Sequence, residues 1–587
     1  MPHSVVAVVA VANDQRHIYA ASGKTRQNSK ATSPLNHLFI PPYPSLLQDV
    51  GVYCFNVSMS LSRVLFWLSR AFLLPCIIGT TWLYLYPFFH GCAFPKPPDA
   101  AASYSIGGCN NTSSHASVAP FRLLVFGDPQ LEGDTSLPNR NAQAFPAARR
   151  ILQRERGSSS WEDLQSLLRA LRALTTDDLP RILQAYRKRL DLLGNDYYLA
   201  HIYRTLHWYT QPTHVTVLGD LLGSQWISDT EFERRSGRFW KRVFRGGVRV
   251  PDEVTAGSQM EALGQDKAWK SRIINVAGNH DIGYSGDLDE SRIERFERAF
   301  GPVNWDVTFT LPSDTSLPAE QSPEHRPELR LVALNSMNLD GPALSPSLQS
   351  DTYDYINSLI STSRPVKDRS HFTLLLTHIP LHKEEGVCTD PPFFSHFPTY
   401  QGGGVKEQNH LSPSASKGIL EGLFGMSGRK DAPARGMGRN GLVLTGHDHE
   451  GCDVLHYHLR NETENWRAVR WEEARSSGLV GRDVPGVREV TVRSMMGDFG
   501  GNAALVSVWW DQGVREWRSA VEMCGLGVQH WWWAVHVVDL VEVLLVVAAM
   551  LVRLVEKRWS GTRSRAQKKR KVPQRYRKSR ERPFKKE

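Results

Sequence analysis

The chain has 587 residues, 41% hydrophobic and 22% charged, with a formal net charge of +10. That length exceeds one small domain and leaves room for a large core with appendages. Residues 553–587 carry 16 Lys/Arg against 3 Asp/Glu, so the basicity belongs to a tail, and the near-neutral remainder excludes a broad basic nucleic-acid face.

Residues 1–62 lack the layout of a signal peptide and read as an N-terminal region ahead of a first membrane span, assigned to 63–92. Its centre, Ala71 to Phe89 (AFLLPCIIGTTWLYLYPFF), holds 19 uncharged residues, about what a bilayer core requires of a helix. A linker follows at 93–119, then a domain over 120–522. A second span is expected at 528–554, where Trp531 to Leu554 is apolar except for His536, Asp539 and Glu542. Their spacing of three puts them on one sector, which could meet another helix or a headgroup. Residues 555–587 form the basic tail. Arg63, Arg70 and that tail put both termini in the cytosol by the positive-inside rule and the domain on the far side. The sequons at Asn110, Asn111 and Asn461 would then be open to glycosylation, whereas Asn56 would not.

Within the domain one local design recurs. A short apolar strand runs into a polar cluster in FRLLVFGDPQ (121–130), HVTVLGDLLG (214–223), RIINVAGNHD (272–281), HFTLLLTHIP (371–380) and NGLVLTGHDH (440–449). Continuous Val/Leu/Ile runs suit strands buried on both faces. Helical patterns at 161–174 and 289–300 alternate with them, giving an α/β core whose loops gather at strand ends. Stretches rich in Pro, Gly and Ser at 312–328, 402–417 and 426–439 read as flexible insertions.

The strand ends offer Asp128, Asp220, Asn279, His378, His447 and His449. Oxygen and imidazole donors without thiolate favour Mn²⁺, Fe or Zn²⁺ in a catalytic site. Six ligands exceed the need of one ion with open positions and suit two ions clamping a phosphoryl group. The seven cysteines (54, 76, 92, 109, 388, 452, 524) include no CxxC pair and suggest neither a zinc knuckle nor a disulfide-dense scaffold.

The order D-x-[H/Q], GD, GNHD, H, GHxH resembles the calcineurin-like metallophosphoesterases over about 400 residues. The resemblance implies a β-sandwich core flanked by helices, with one metal on Asp128, Asp220 and His449. The other metal would take Asp220 as a bridge with Asn279, His378 and His447. His280 would serve the leaving oxygen, with Asp281 orienting it. Gln130 stands where the family usually has His, and its neutral oxygen would be a weaker ligand. Residues 276–305, 333–341, 374–388 and 444–458 are similar to the Cdc1/Ted1/PGAP5 group. Membership there implies a membrane-anchored, Mn²⁺-dependent phosphodiesterase of the endoplasmic reticulum or Golgi. It would remove ethanolamine phosphate from mannoses of GPI anchors. The partners implied are the GPI glycan, the membrane and cargo receptors of the early secretory pathway, with no nucleic acid. A Mre11-like nuclease would share the motifs, and KKRK (568–571) could be a nuclear address, but two spans and a near-neutral domain count against it. A non-catalytic adaptor for GPI-anchored cargo would have no need of His280.

Overall fold

The computed structural model describes residues 60–98, 118–137, 161–257, 259–312, 326–459, 466–480 and 483–577, with isolated positions 146 and 149. All four sequons, and most of the 312–328 insertion, lie outside them.

Two mixed sheets carry the domain. The first has six strands in the order β16 (Glu516–Gly525), β15 (Asn502–Asp511), β1 (Phe121–Phe126), β2 (His214–Val217), β5 (Arg272–Asn275) and β3 (Val248–Arg249). The second has eight: β13 (Trp466–Arg470), β12 (Cys452–His458), β14 (Gly486–Thr491), β11 (Asn440–Thr445), β8 (His371–Leu376), β7 (Glu328–Ala333), β6 (Trp305–Thr310) and β4 (Gln259–Ala262). A separate ribbon pairs β9 (Phe394–His396) with β10 (Val405–Gln408). The motif strands β1, β2 and β5 are parallel neighbours, and so are β8 and β11. Their carboxyl ends therefore open on one edge of each sheet.

The strand period explains the continuous apolar runs. Alternate residues Phe121, Leu123 and Val125 of β1 enter a core with Leu374 and Leu376 of β8 and Leu442 and Leu444 of β11. The intervening Leu124 and Phe126, with Val215, Val217, Leu375 and Val443, turn outward to a second core under helices. That core includes Tyr198, Ile202 and Leu206 from helix Leu179–Thr210 and Phe296 and Phe300 from helix Glu290–Phe300. Both faces are filled, so each such side chain contributes about 1.5–3 kcal/mol of burial and neither face of the strand can be polar. The domain is thus the α/β arrangement that the alternation implied.

The insertion at 402–417 departs from expectation. Its GGG run hides β10 and helix Pro413–Gly418, and Val405, Gln408 and Leu411 are buried. Val405 holds Gly286 and Pro342 through backbone hydrogen bonds of 2.9 and 3.1 Å, so this stretch is a built wall. The 426–439 stretch is a succession of turns around Pro433–Gly436.

Two helices, Leu61–Tyr84 and Gln529–Thr562, are long and apolar enough to cross a membrane, and they associate the chain with one. The first starts two residues ahead of the expected span and is followed by a short helix, Tyr86–Phe89. The second continues without a break through the basic tail to Arg577. The polar sector meets the neighbouring helix: Thr80 Oγ1 donates to Asp539 (2.9 Å) and Ser69 Oγ to Glu542 (2.7 Å); further along, outside that sector, Ser62 Oγ donates to Glu556 (2.6 Å). In a medium without water, each acid thereby keeps a hydrogen-bond partner. Among the described residues there are two disulfides. Cys92–Cys524 fastens the end of the first helical segment to β16, and Cys388–Cys452 joins the segment after β8 to the start of β12.

A buried charge cluster braces β14. Glu489, fully buried, accepts from Lys383 Nζ (2.9 Å), contacts His456 Nε2 (2.5 Å) and receives Thr445 Oγ1 (3.3 Å). Burial works against its charge, yet Lys383 and His456 hold its carboxyl down from 4.5 to about 2. A depressed acid stabilises the fold fully above its unfolded pKa and ceases to do so as pH falls through the folded one. The thermal midpoint gap between wild type and Glu489→Gln is therefore expected to narrow as pH drops from about 4.5 toward 2. A gap that stays constant over that window would contradict the pairing.

Candidate metal centre

Three of the five motifs end their strands in the same way, with a backbone turn that ordinary residues avoid. Asp128 (φ 48°), Asp220 (φ 50°) and His447 (φ 72°) all sit in the left-handed region, a conformation costing about 1–3 kcal/mol and kept where the surroundings enforce it. The loops after β1 and β2 are zipped together: Gln130 N–H donates to the Asp220 carbonyl (2.8 Å) and Leu131 N–H to that of Leu221 (3.1 Å). That lays Asp128 beside Asp220.

After β5, Gly278 caps the short helical turn Asn279–Ile282. A Cβ at 278 would collide with the Asp220 backbone, so only glycine lets the two loops meet. His280 N–H donates to Asp220 Oδ1 (2.9 Å). Asp281 is fully buried and accepts from the N–H groups of Gly278 (3.0 Å), Leu221 (3.1 Å) and Leu222 (2.9 Å). Its work is therefore on the backbone of two loops, not on the His280 ring, as the resemblance had implied. Burial, then the Asp220 charge, pushes its carboxyl up to about 8.

The histidines present defined nitrogens. His378 Nδ1 donates to the Leu218 carbonyl (2.7 Å), which turns Nε2 toward Asn279 Oδ1 (3.0 Å) and Asp220 Oδ1 (3.4 Å). His447 Nε2 donates to the Gln408 carbonyl (2.8 Å), leaving Nδ1 for the centre, while its N–H donates to Asp128 Oδ1 (3.0 Å). Such carbonyl partners fix the tautomer of a metal-binding imidazole. Burial, then His378, lowers His447 to about 3, and burial lowers His378 and His449 as well. Neutral rings keep the lone pairs that a cation needs.

The donor atoms converge in two overlapping groups, Asp220–His378–His447 and Asp128–Asp220–His449, each within 4.8 Å. Asn279 joins the first through His378. Asp220 belongs to both groups, as a bridging ligand must. Burial, then Asp220, raises Asp128 well above its usual range. Against burial, His280, His378 and His447 hold Asp220 at about 2. Lone pairs from carboxylate, amide and imidazole facing one another in a buried space fit a pair of divalent ions. Gln130 differs from expectation: its Nε2 donates to Asp220 Oδ2 (2.9 Å) and lies 3.2 Å from His449 Nε2. As placed, it steadies the bridge as a donor.

The centre opens into a cleft of about 650 Å³. His280 overhangs it, with Nε2 3.8 Å from Asp220 Oδ2. The sequence did not reveal the rest of the lining, which includes Trp226, Tyr284, Asp390, Lys406, Asp448 and Phe499. Cys388 and Cys452 draw the Asp390 and Asp448 loops together. Their placement just after the fourth and fifth motifs was the available signal.

No family model matches the chain. It is similar to Protein TED1 of Saccharomyces cerevisiae, 33% identical over 408 residues, covering 61% of this chain and 77% of that one. It is also similar to Metallophosphoesterase 1 of Danio rerio, 26% over 322 residues (52% and 70%), and of Mus musculus, 27% over 283 residues (46% and 57%).

Proposed function

The chain belongs to the Ted1/PGAP5-type metallophosphoesterase family and is a metal-dependent phosphoesterase; from that premise we propose that it removes ethanolamine phosphate from a mannose of GPI anchors. The observation that carries the chemistry is the pair of ligand groups sharing Asp220 at the floor of a cleft that His280 overhangs. Divalent ions there supply Lewis-acid polarisation of the phosphoryl group and activation of water. Mn²⁺ suits the all oxygen and nitrogen donor set. His280 stands on the open side of Asp220, where it can give a proton to the departing oxygen. Asp281 keeps the His280 turn registered on the Asp220 loop.

The substrate reading is supported by the lining. Beside Asp390, Asp448, Glu407 and Glu450, Lys406 is the one lysine or arginine among the described lining residues. That charge suits a diester bearing an ammonium group and is poor for a polyanion. Tethering at both ends to apolar helices suits a lipid-linked substrate, and the two disulfides suit an oxidising lumen. We place the domain on the lumenal side of the endoplasmic reticulum or early Golgi membrane.

Purified full-length protein with Mn²⁺ is expected to release ethanolamine phosphate from a GPI glycan. His280→Ala should cut turnover by about 10²–10⁴-fold with metal content kept. Hydrolysis of a simple phosphodiester without release from the glycan would sink the substrate assignment. Orientation has its own test: glycans are expected on Asn110 or Asn111 and on Asn461, and a glycan on Asn56 alone would invert the topology.

A further inference from the structure

Helix Trp161–Ala173 runs through a wide turn, Leu174–Asp178, into helix Leu179–Thr210. Along the first helix Leu164, Leu168 and Leu171 lie on one side, and along the second Leu183, Leu190 and Leu193 do the same. All six are at least 40% exposed. Spacings of three, four and seven are those of a single helical face. A folded domain normally buries such a stripe, and contiguous exposed apolar surface of this kind marks an interaction site.

The position of the arm indicates what covers it. Around residue 194 the second helix rests on the domain-side ends of both apolar helices. A Cβ at Gly194 would strike the Trp533 ring, Gln529 Nε2 donates to Asn195 Oδ1 at 2.6 Å, and the His201 and Tyr84 rings lie 4.9 Å apart. Tyr198 hydrogen-bonds to the Gly527 carbonyl. The stripe at Leu190 and Leu193 is thus continuous with the tryptophan-rich start of the second span. Over 161–197 six basic and six acidic residues offset each other, which leaves apolar insertion rather than charge as the attraction. The inner side of the helix also reaches the active-site loop, since Leu192, Asn195 and Leu199 share a cavity of about 70 Å³ with Gln130.

We propose that the 161–197 arm is an interfacial helix lying on the lipid surface, its leucine stripe at the acyl boundary, which sets the height and tilt of the catalytic cleft above the membrane. This rests on reading the two apolar helices as spans, and the experiment separates the two claims. Full-length protein carrying one environment-sensitive fluorescent amino acid, at position 168, 166 or 543, is reconstituted in phosphatidylcholine vesicles with a shallow doxyl-lipid quencher. Emission from 168 with that quencher, and from 543 in the second span with a deep doxyl-lipid quencher, is expected to fall by at least about twofold, with 166 on the polar side little changed. Because the attraction is apolar, 1 M NaCl, which leaves a Debye length of only about 3 Å, should not release the label at 168. Quenching at 543 with 168 behaving like 166 overturns the proposal, whether a second copy or another part of the chain covers the stripe. No quenching at 543 overturns the reading of the spans.

Discussion

Asp220→Asn is expected to lower phosphodiester turnover by at least about 10³-fold, a loss near 4 kcal/mol at 1.36 kcal/mol per decade, with the domain still folded. Asp220 is the one side chain shared by both ligand groups, so neutralising it weakens the hold on both ions together. It also receives the His280 N–H (2.9 Å) and the Gln130 amide (2.9 Å), which an asparagine would meet with weaker or clashing groups. Gln130→Ala removes one neutral donor and is expected to cost about 10–100-fold, as for other groups that orient a ligand from behind. Turnover measured under saturating Mn²⁺ separates the two. Equal residual activity in both variants would contradict the bridging assignment.

Lys383→Met is expected to lower stability by about 3–5 kcal/mol, because it leaves a fully buried carboxylate without its cation. Glu489 would keep His456 and Thr445 as partners, but its strongest ionic contact, 2.9 Å to Lys383 Nζ, would be gone. Lys383→Met combined with Glu489→Gln removes both charges and should recover part of the loss. Thermal midpoints of the full chain in detergent test this. A double variant less stable than the single one would show that the pair is held by more than mutual charge.

The five strand-end motifs were legible because each strand is buried on both faces, so its apolar run is unbroken and stops abruptly at the polar turn. Residue chemistry then sufficed to gather Asp128, Asp220, Asn279, His378, His447 and His449. Asp539 and Glu542 in the polar sector of the second apolar helix were legible from their spacing, and Thr80 and Ser69 answer them. Roles set by backbone were not legible. Asp281 spends its carboxylate on three amide groups, which no spacing rule announces. The glycine-rich 402–417 segment read as a flexible insertion, since glycine lowers any strand signal, yet Gln408 within it fixes the His447 tautomer. His456 and Glu489 are brought together by the β12–β14 pairing, and Lys383 reaches them from the segment after β8. The helical pattern at 161–174 was visible, but only its exposure beside the apolar helices gives it a meaning.

Metal stoichiometry on Mn²⁺-loaded, desalted protein decides whether two ions share the Asp220 carboxylate. Wild type should retain two ions per chain. His449→Ala, which touches one ligand group, should retain one, and Asp220→Ala should retain fewer than one. One ion in wild type, or two ions kept after Asp220→Ala, would contradict the account.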